Sequence, residues 1–204
     1  MKLFCDPISP YARKVMILAR LSGIQLHEVK AQKNGDHGDH GYLAGDNPLG
    51  KIPALEWKAG QFLFDSPVIC EYLDSQREKP LLPESGDERI IQLWQHALGD
   101  GLSDAVYNYR METVRPADLY WDKMIARHDQ SIRNAIDTLE KISPWLGEDW
   151  TYGNIAVMCA LDYARYRAAH VDWQQSAPQL GSWHNNLSQT DVWKETNAYD
   201  EVTS

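Results

Sequence analysis

From Asn47 to Tyr72 the chain reads NPLGKIPALEWKAGQFLFDSPVICEY, and the reading of these residues decides the fold. An apolar run, Ala54 to Trp57, starts directly after Pro53. Proline has no backbone N–H, so it suits the first position of a strand and not its interior. A cis bond at Ile52–Pro53 would mark a specified tight turn, since cis is rare even before proline. Such a turn leaves the N–H and C=O of Ile52 facing outward, able to pair with an extended ligand as a short added strand. Further on, Asp65, Ser66 and Pro67 follow a second apolar run, Phe62 to Phe64. Ser66 reads as a helix N-cap and Pro67 as the first helical residue, with Val68, Ile69, Tyr72 and Leu73 on one side. A helix start offers free N–H groups and about half a positive charge to a carboxylate. Asp65 beside it offers a carboxylate to an amine, so an amino-acid end fits both. Each junction alone is ordinary. Two of them, joined by a strand, a turn at Ala59-Gly60 and a strand, favour a ligand site.

Working outward, Met1 to Cys5 is short and apolar and predicts a buried strand. The stretch DPISPYARKV then opens a helix, with Ser9 as its cap and Pro10 in its first turn. Val15, Leu18 and Leu21 share one face, and Gly23 ends it. Gln25 to Lys30 predicts a second strand with Ile24, Leu26 and Val29 facing inward. Strand–helix–strand implies a parallel pair joined by a right-handed crossover. From Lys33 to Asp46 the sequence is polar and glycine-rich, a loop rather than an element. Its His37, His40, Asp36 and Asp39 carry zinc-type donors. The glycines give them no rigid frame, so a loop at the rim of a site is preferred and no metal is expected.

The helix after Ser66 should end near Gln76, and REKPLLPESG is a proline-punctuated linker. Everything after Asp87 has helical spacing. One helix carries Ile90, Leu93, Trp94, Ala97, Leu98, Leu102, Ala105, Val106 and Tyr109, with Gly99 and Gly101 as points where it could bend. A second, after Pro116, carries Trp121, Met124, Ile125, His128, Ile132, Ile136, Leu139 and Ile142. The segment Asn154 to Tyr166 is apolar all round at its start and should be the buried central helix, capped by Thr151 with Asn154. A fourth spans about 178–187 through Leu180, Trp183 and Leu187. The tail beyond Thr190 is polar and reads as loosely packed. The expected domains are 1–77 and 87–204.

With 43% hydrophobic and 24% charged residues over 204 positions, the composition is that of a globular protein. A net charge of −9 argues against nucleic acid as the main partner. The longest apolar run, Ile155 to Leu161, falls well short of the roughly 20 residues of a membrane span, and no signal peptide is visible. Three scattered cysteines, Cys5, Cys70 and Cys159, fit reduced thiols packed in a cytoplasmic protein.

Four stretches, SPYARKV, NPLGKIPAL, FDSPVICEYL and TYGNIAVMCALDY, fall in this order along the chain. Together they resemble the cytosolic glutathione S-transferases, and the resemblance spans nearly the whole chain. It implies an α/β thioredoxin-like N-terminal domain, an all-helical C-terminal domain and a homodimer. It also implies glutathione as co-substrate, with no further cofactor, and a hydrophobic electrophile as second substrate. The residue before the cis-proline would pair with the cysteinyl backbone of glutathione; here that is Ile52, before Pro53, with Lys51 beside it. The acidic–serine pair, Asp65 and Ser66, would hold the γ-glutamyl end. The thiol-activating position falls on Ser9, as in serine-type, tau-like classes, with Tyr11 as the alternative hydroxyl. SPYA also resembles a glutaredoxin CPYC with both cysteines replaced, which removes dithiol chemistry.

A free thiol has a pKa of about 8.5, so little thiolate exists at neutral pH. A Ser9 hydroxyl at the positive end of its helix would favour the thiolate. Arg13, Lys14 and Lys51 would make the site locally positive for an anionic tripeptide. Thiolate attack on an electrophilic carbon or a peroxide oxygen follows. On the residues alone Ser9 reads as a plain cap and only the resemblance tips it toward the thiol, and the same fold could serve as a non-catalytic binding or interaction protein. Tyr107, Arg110, Met111 and Tyr163 are candidates to line the second-substrate side and fit core or surface positions equally well.

Overall fold

In a computed structural model of the chain, β1 (Lys2–Cys5) runs parallel to β2 (His27–Lys30) on one side. On its other side it runs antiparallel to β5 (Ala54–Lys58), which is followed by β6 (Gln61–Leu63). The four-stranded sheet therefore has the order β2-β1-β5-β6. The structure describes residues 1–33, 41–43, 47–197 and 199. Two further short strands, β3 (Gln32–Lys33) and β4 (Tyr42–Leu43), pair with each other at the ends of the stretch read as a loop. The histidines and aspartates at 36–40 lie outside the described residues. β2 starts two residues later than its hydrophobic pattern suggested, and only Val29 of its four residues is turned partly inward.

Helix α1 (Pro10–Leu21) buries Ala12, Val15, Ile17 and Leu18. Helix α2 (Ser66–Asp74) buries Ile69, Cys70 and Leu73. Leu3 and Leu55, facing residues of β1 and β5, are fully buried. Each such side chain contributes about 1.5–3 kcal/mol when removed from water. The buried Asp74 carboxylate accepts from the N–H groups of Leu81 and Leu82, both at 2.8 Å, closing the chain after α2. Arg77 donates to the carbonyl of Leu21, which ties the ends of α1 and α2 together.

The chain divides into two compact units, Met1–Pro83 with Asp191–Ser204, and Glu84–Thr190. The expected second domain, 87–204, is thus shorter at its C-terminal end. The tail read as loose holds α8 (Asp191–Lys194), and Trp193, Thr196 and Tyr199 are all buried. Polar composition misled here because the buried surface is carried by two aromatic rings spaced six positions apart, too sparse to form a periodic signal.

The second unit comprises α3 (Gly86–Thr113), α4 (Asp122–Ile142), α5 (Tyr152–Arg167), α6 (Trp173–Ser176) and α7 (Pro178–Leu187). As expected, α5 is the central helix, buried continuously from Tyr152 to Ala164. Thr151 and Asn154 form a reciprocal cap: Asn154 N–H donates to Thr151 Oγ1 at 3.2 Å, and Thr151 N–H to Asn154 Oδ1 at 2.8 Å. The α7 start is capped from α4, where the Glu140 carboxylate accepts from the N–H groups of Gln179 and Leu180.

α3 is continuous through Gly99 and Gly101, so neither glycine ends or interrupts it. A Cβ on Gly99 would lie 2.6 Å from the backbone carbon of Ala156, so this glycine lets α3 and α5 touch backbone to backbone. The expected inward face holds in the C-terminal half of α3, where Leu102, Ala105 and Val106 are buried, and not in its N-terminal half. Gln95, His96 and Gly99 are buried, while Ile90 (63% exposed), Ile91, Leu93 and Trp94 face outward.

Candidate functional site

The strand register brings three loops to one edge of the sheet. Phe4 pairs with Ala54 and Leu55 with Leu63, so β1 and β6 end where β5 begins. The loop to Ser9, the turn at Ile52-Pro53 and the Phe64–Ser66 junction therefore emerge together, and both α1 and α2 start there. This edge gathers two helix N-termini and one unpaired strand lead-in.

Ser9 is the N-cap of α1: the Ala12 N–H donates to its Oγ at 3.3 Å. Capping uses a lone pair on the hydroxyl oxygen and leaves its proton for another acceptor. The loop before it is fixed by an Asp6 turn, in which Asp6 Oδ1 accepts from Ile8 N–H and the Asp6 carbonyl from Ser9 N–H. Tyr11 is half-buried, with Lys14 Nζ 5.9 Å from its ring centre.

The Ile52–Pro53 bond is cis. Pro53 is buried, and Ile52 makes no backbone–backbone hydrogen bond to another described residue, so its N–H and C=O are open to a ligand strand. Lys51 is exposed beside it. Asn47, a residue the sequence reading left without a role, holds this turn. Its Oδ1 accepts from Leu49 N–H at 3.0 Å, and its Nδ2 donates to the Lys51 carbonyl at 2.7 Å. The signal was the NPLG turn composition itself.

At the third loop the helix begins one residue earlier than expected. Asp65 occupies the N-cap position and Ser66 the first helical position. The Asp65 carboxylate is exposed and forms no cap hydrogen bond, which leaves it available to a cation. Ser66 is only 2% exposed, and its hydroxyl bonds to no other described residue. Phe64–Asp65 is also cis.

Two cations expected at the site are placed elsewhere. Arg13 is fully buried, with its guanidinium 3.6 Å from the Trp193 ring centre and Nη2 donating to the Trp193 carbonyl at 3.3 Å. Lys14 is likewise buried. Charge in a sequence does not reveal whether a side chain faces ligand or core, and here α1 turns both inward. Of the expected positive charges Lys51 alone is exposed. Cys5, next to the loop, is no rival nucleophile, because burial, with Glu28 and Asp6 adding, pushes its thiol up to about 12. Among the described residues no cluster of His, Cys, Asp and Glu is assembled to hold a metal. In the second unit Tyr107, Arg110 and Met111 are exposed along α3, whereas Tyr163 is buried in α5.

Residues 8–76 match the family model for the glutathione S-transferase N-terminal domain, and residues 122–186 that for the C-terminal domain. The chain belongs to the glutathione S-transferase family. Its relatives include the uncharacterized GST-like protein YibF of Escherichia coli K12, 32% identical over 192 residues, covering 92% of this chain and 93% of the relative. A glutathione transferase family member from Pseudomonas fluorescens Pf-5, solved with bound glutathione, shares 36% identity at a TM-score of 0.86, covering 96% of this chain and 98% of that one. A glutathione S-transferase from Methylobacillus flagellatus KT, also solved with glutathione, shares 30% identity at 0.87 with the same coverage. No described helix is long and apolar enough to cross a membrane.

Proposed function

We propose that this protein is a serine-type glutathione transferase in which Ser9 donates its hydroxyl proton in a hydrogen bond to the glutathione sulfur. The observation that carries this reading is the convergence of Ser9, Ile52–Pro53 and Asp65–Ser66 on one sheet edge. Ile52 pairs with the cysteinyl backbone of glutathione. The Ser66 hydroxyl and the α2 N-terminus take the γ-glutamyl carboxylate, and Asp65 takes its amine. Lys51 attracts the anionic tripeptide to an otherwise acidic chain.

The bound thiolate then attacks an electrophilic carbon, forming a thioether and releasing the leaving group, or attacks a hydroperoxide oxygen, breaking the O–O bond to release an alcohol and a glutathione sulfenic acid that a second glutathione converts to the disulfide and water. The bound glutathione of the two solved relatives supports the binding half of this reading. The three cysteines, all free and buried, suit a reducing cytoplasm. The outward apolar face of α3, with Ile90, Ile91, Leu93 and Trp94, supports a homodimer.

Titration with glutathione, followed by assays with an aryl halide and a hydroperoxide, tests the proposal. Binding with turnover of either acceptor is expected. Binding without turnover would favour the non-catalytic reading, and no binding would end the enzyme reading.

A further inference from the structure

The C-terminal segment reaches the Ser9 loop from outside the sequence neighbourhood. The buried Tyr199 hydroxyl donates to the carbonyl oxygen of Ile8 at 3.1 Å, one residue before Ser9. On the other side of Ser9, Arg13 N–H donates to the Ser9 carbonyl at 2.9 Å in the first turn of α1. The Arg13 side chain is itself held by the same C-terminal segment. Its Nη2 donates to the Trp193 carbonyl, its Nε to Thr196 Oγ1 at 3.5 Å, and its guanidinium stacks on the Trp193 ring, with the Tyr199 ring 5.5 Å away. The single Thr196 hydroxyl proton is shared between the backbone carbonyls of Val192 and Trp193 in α8, which leaves the oxygen lone pairs for Arg13.

Ser9 is thus bracketed. Its preceding carbonyl and its following turn are both fastened to residues 180 or more positions away. A hydroxyl that stabilises a thiolate must sit within hydrogen-bond reach of the sulfur, and sub-ångström displacement weakens that bond. The Ser9 hydroxyl is half-buried and its partner among the described residues is the Ala12 N–H at 3.3 Å, so its direction follows from how the backbone at Ile8 and Arg13 is held. We propose that Tyr199 is a positioning residue for the reaction, with Arg13, Trp193 and Thr196 as its supports: the C-terminal segment sets where the Ser9 hydroxyl points. This rests on the assignment of Ser9 as the thiol-contacting hydroxyl.

The test is a double-mutant cycle in the full-length protein, with Ser9→Ala, Tyr199→Phe and the double variant. It reads the ultraviolet thiolate absorbance of bound glutathione against pH, and kcat and KM with an aryl halide. Tyr199→Phe keeps the ring and removes the one hydrogen bond to Ile8. The expected result is a higher pKa for the bound thiol and a fall in kcat of about three- to tenfold, the equivalent of one hydrogen bond. The KM for glutathione should stay nearly constant, because Ile52, Asp65 and Ser66 are untouched. In the Ser9→Ala background the same change should have no further effect.

An unshifted thiol pKa in Tyr199→Phe, with Ser9→Ala impaired, overturns the positioning role and leaves the Ser9 assignment standing. Equal effects of Tyr199→Phe in both backgrounds overturn it as well, since the residue would then act other than through Ser9. An unimpaired Ser9→Ala removes the assignment itself and the positioning role with it. Thr196→Val, which takes one support from Arg13, should give a smaller shift in the same direction.

Discussion

The side-chain amide of Asn154 donates to the carbonyl oxygen of Asp149 at 2.8 Å and to that of Leu146 at 3.2 Å. An ionised carboxylate in its place has no proton to donate and could not make either bond. Asn154→Asp would turn an acceptor toward two acceptors in a fully buried site. A loss of about 2–4 kcal/mol is expected, from two hydrogen bonds and an unsatisfied group. Thr151→Ala should cost about 1 kcal/mol, the ordinary value of a cap. Urea unfolding measures both, and equal stability of Asn154→Asp and the parent would show that the amide contributes nothing.

Gly99 and Gly101 lie two positions apart in α3 and should respond with opposite signs. Alanine is favoured over glycine in a helix by about 1 kcal/mol. Nothing lies within 4 Å of a Cβ at Gly101, so Gly101→Ala should raise the melting temperature. At Gly99 the new methyl would meet α5 backbone at 2.6 Å and force the helices apart, costing about 1–3 kcal/mol. Thermal melts of the two variants decide it.

Ser9 caps a helix and, in the proposed mechanism, donates a proton, and substitution separates these roles. Ser9→Ala loses both. Ser9→Asp keeps a good cap but has no proton to give and adds negative charge beside the thiolate. Melting should fall by the equivalent of about 1 kcal/mol for alanine and little for aspartate. Conjugation should fall at least as far for aspartate as for alanine, on the order of 10²-fold. Activity that tracked helix stability across the two would reduce Ser9 to a cap.

Cys5 should couple stability to alkaline pH. An unfolded thiol releases its proton near pH 9, while the folded one keeps it to about 12. Between those values the unfolded state binds fewer protons, so stability falls as pH rises, by up to about 1.4 kcal/mol per pH unit from this group. Below pH 9 the contribution is complete. Chemical unfolding of the parent and Cys5→Ala from pH 8 to 11 should show a steeper decline in the parent.

If the apolar face of α3 pairs two copies as proposed, light scattering of the parent should give twice the chain mass, and Trp94→Glu should give the monomer mass. A monomeric parent would assign the apolar face of α3 another purpose.

Much of the first unit was legible because its signals are local. Proline after Ile52, the Ser9 cap and the Asp65-Ser66-Pro67 junction each declare backbone geometry within a few residues. What stayed hidden depends on partners far away in sequence. Periodicity identified the inward stripe of α3 through Leu102, Ala105 and Val106 but not its N-terminal half, where Gln95, His96 and Gly99 are inside instead of Ile90, Leu93 and Trp94. Arg13 and Lys14 looked like ligand-facing charge until the burial of α1 was visible. Nothing near Tyr199 announces that it bonds to Ile8, since the pairing spans almost the entire chain.

The return of α8 and Tyr199 to the first unit makes that unit discontinuous in the gene. A fragment ending at Pro83 would encode every strand of the sheet yet strip Arg13 of the carbonyl, hydroxyl and ring that surround its charge. Dissection at the linker therefore yields an unfinished body, whereas a circular permutant joining residue 191 onward to Met1 would keep the pieces contiguous.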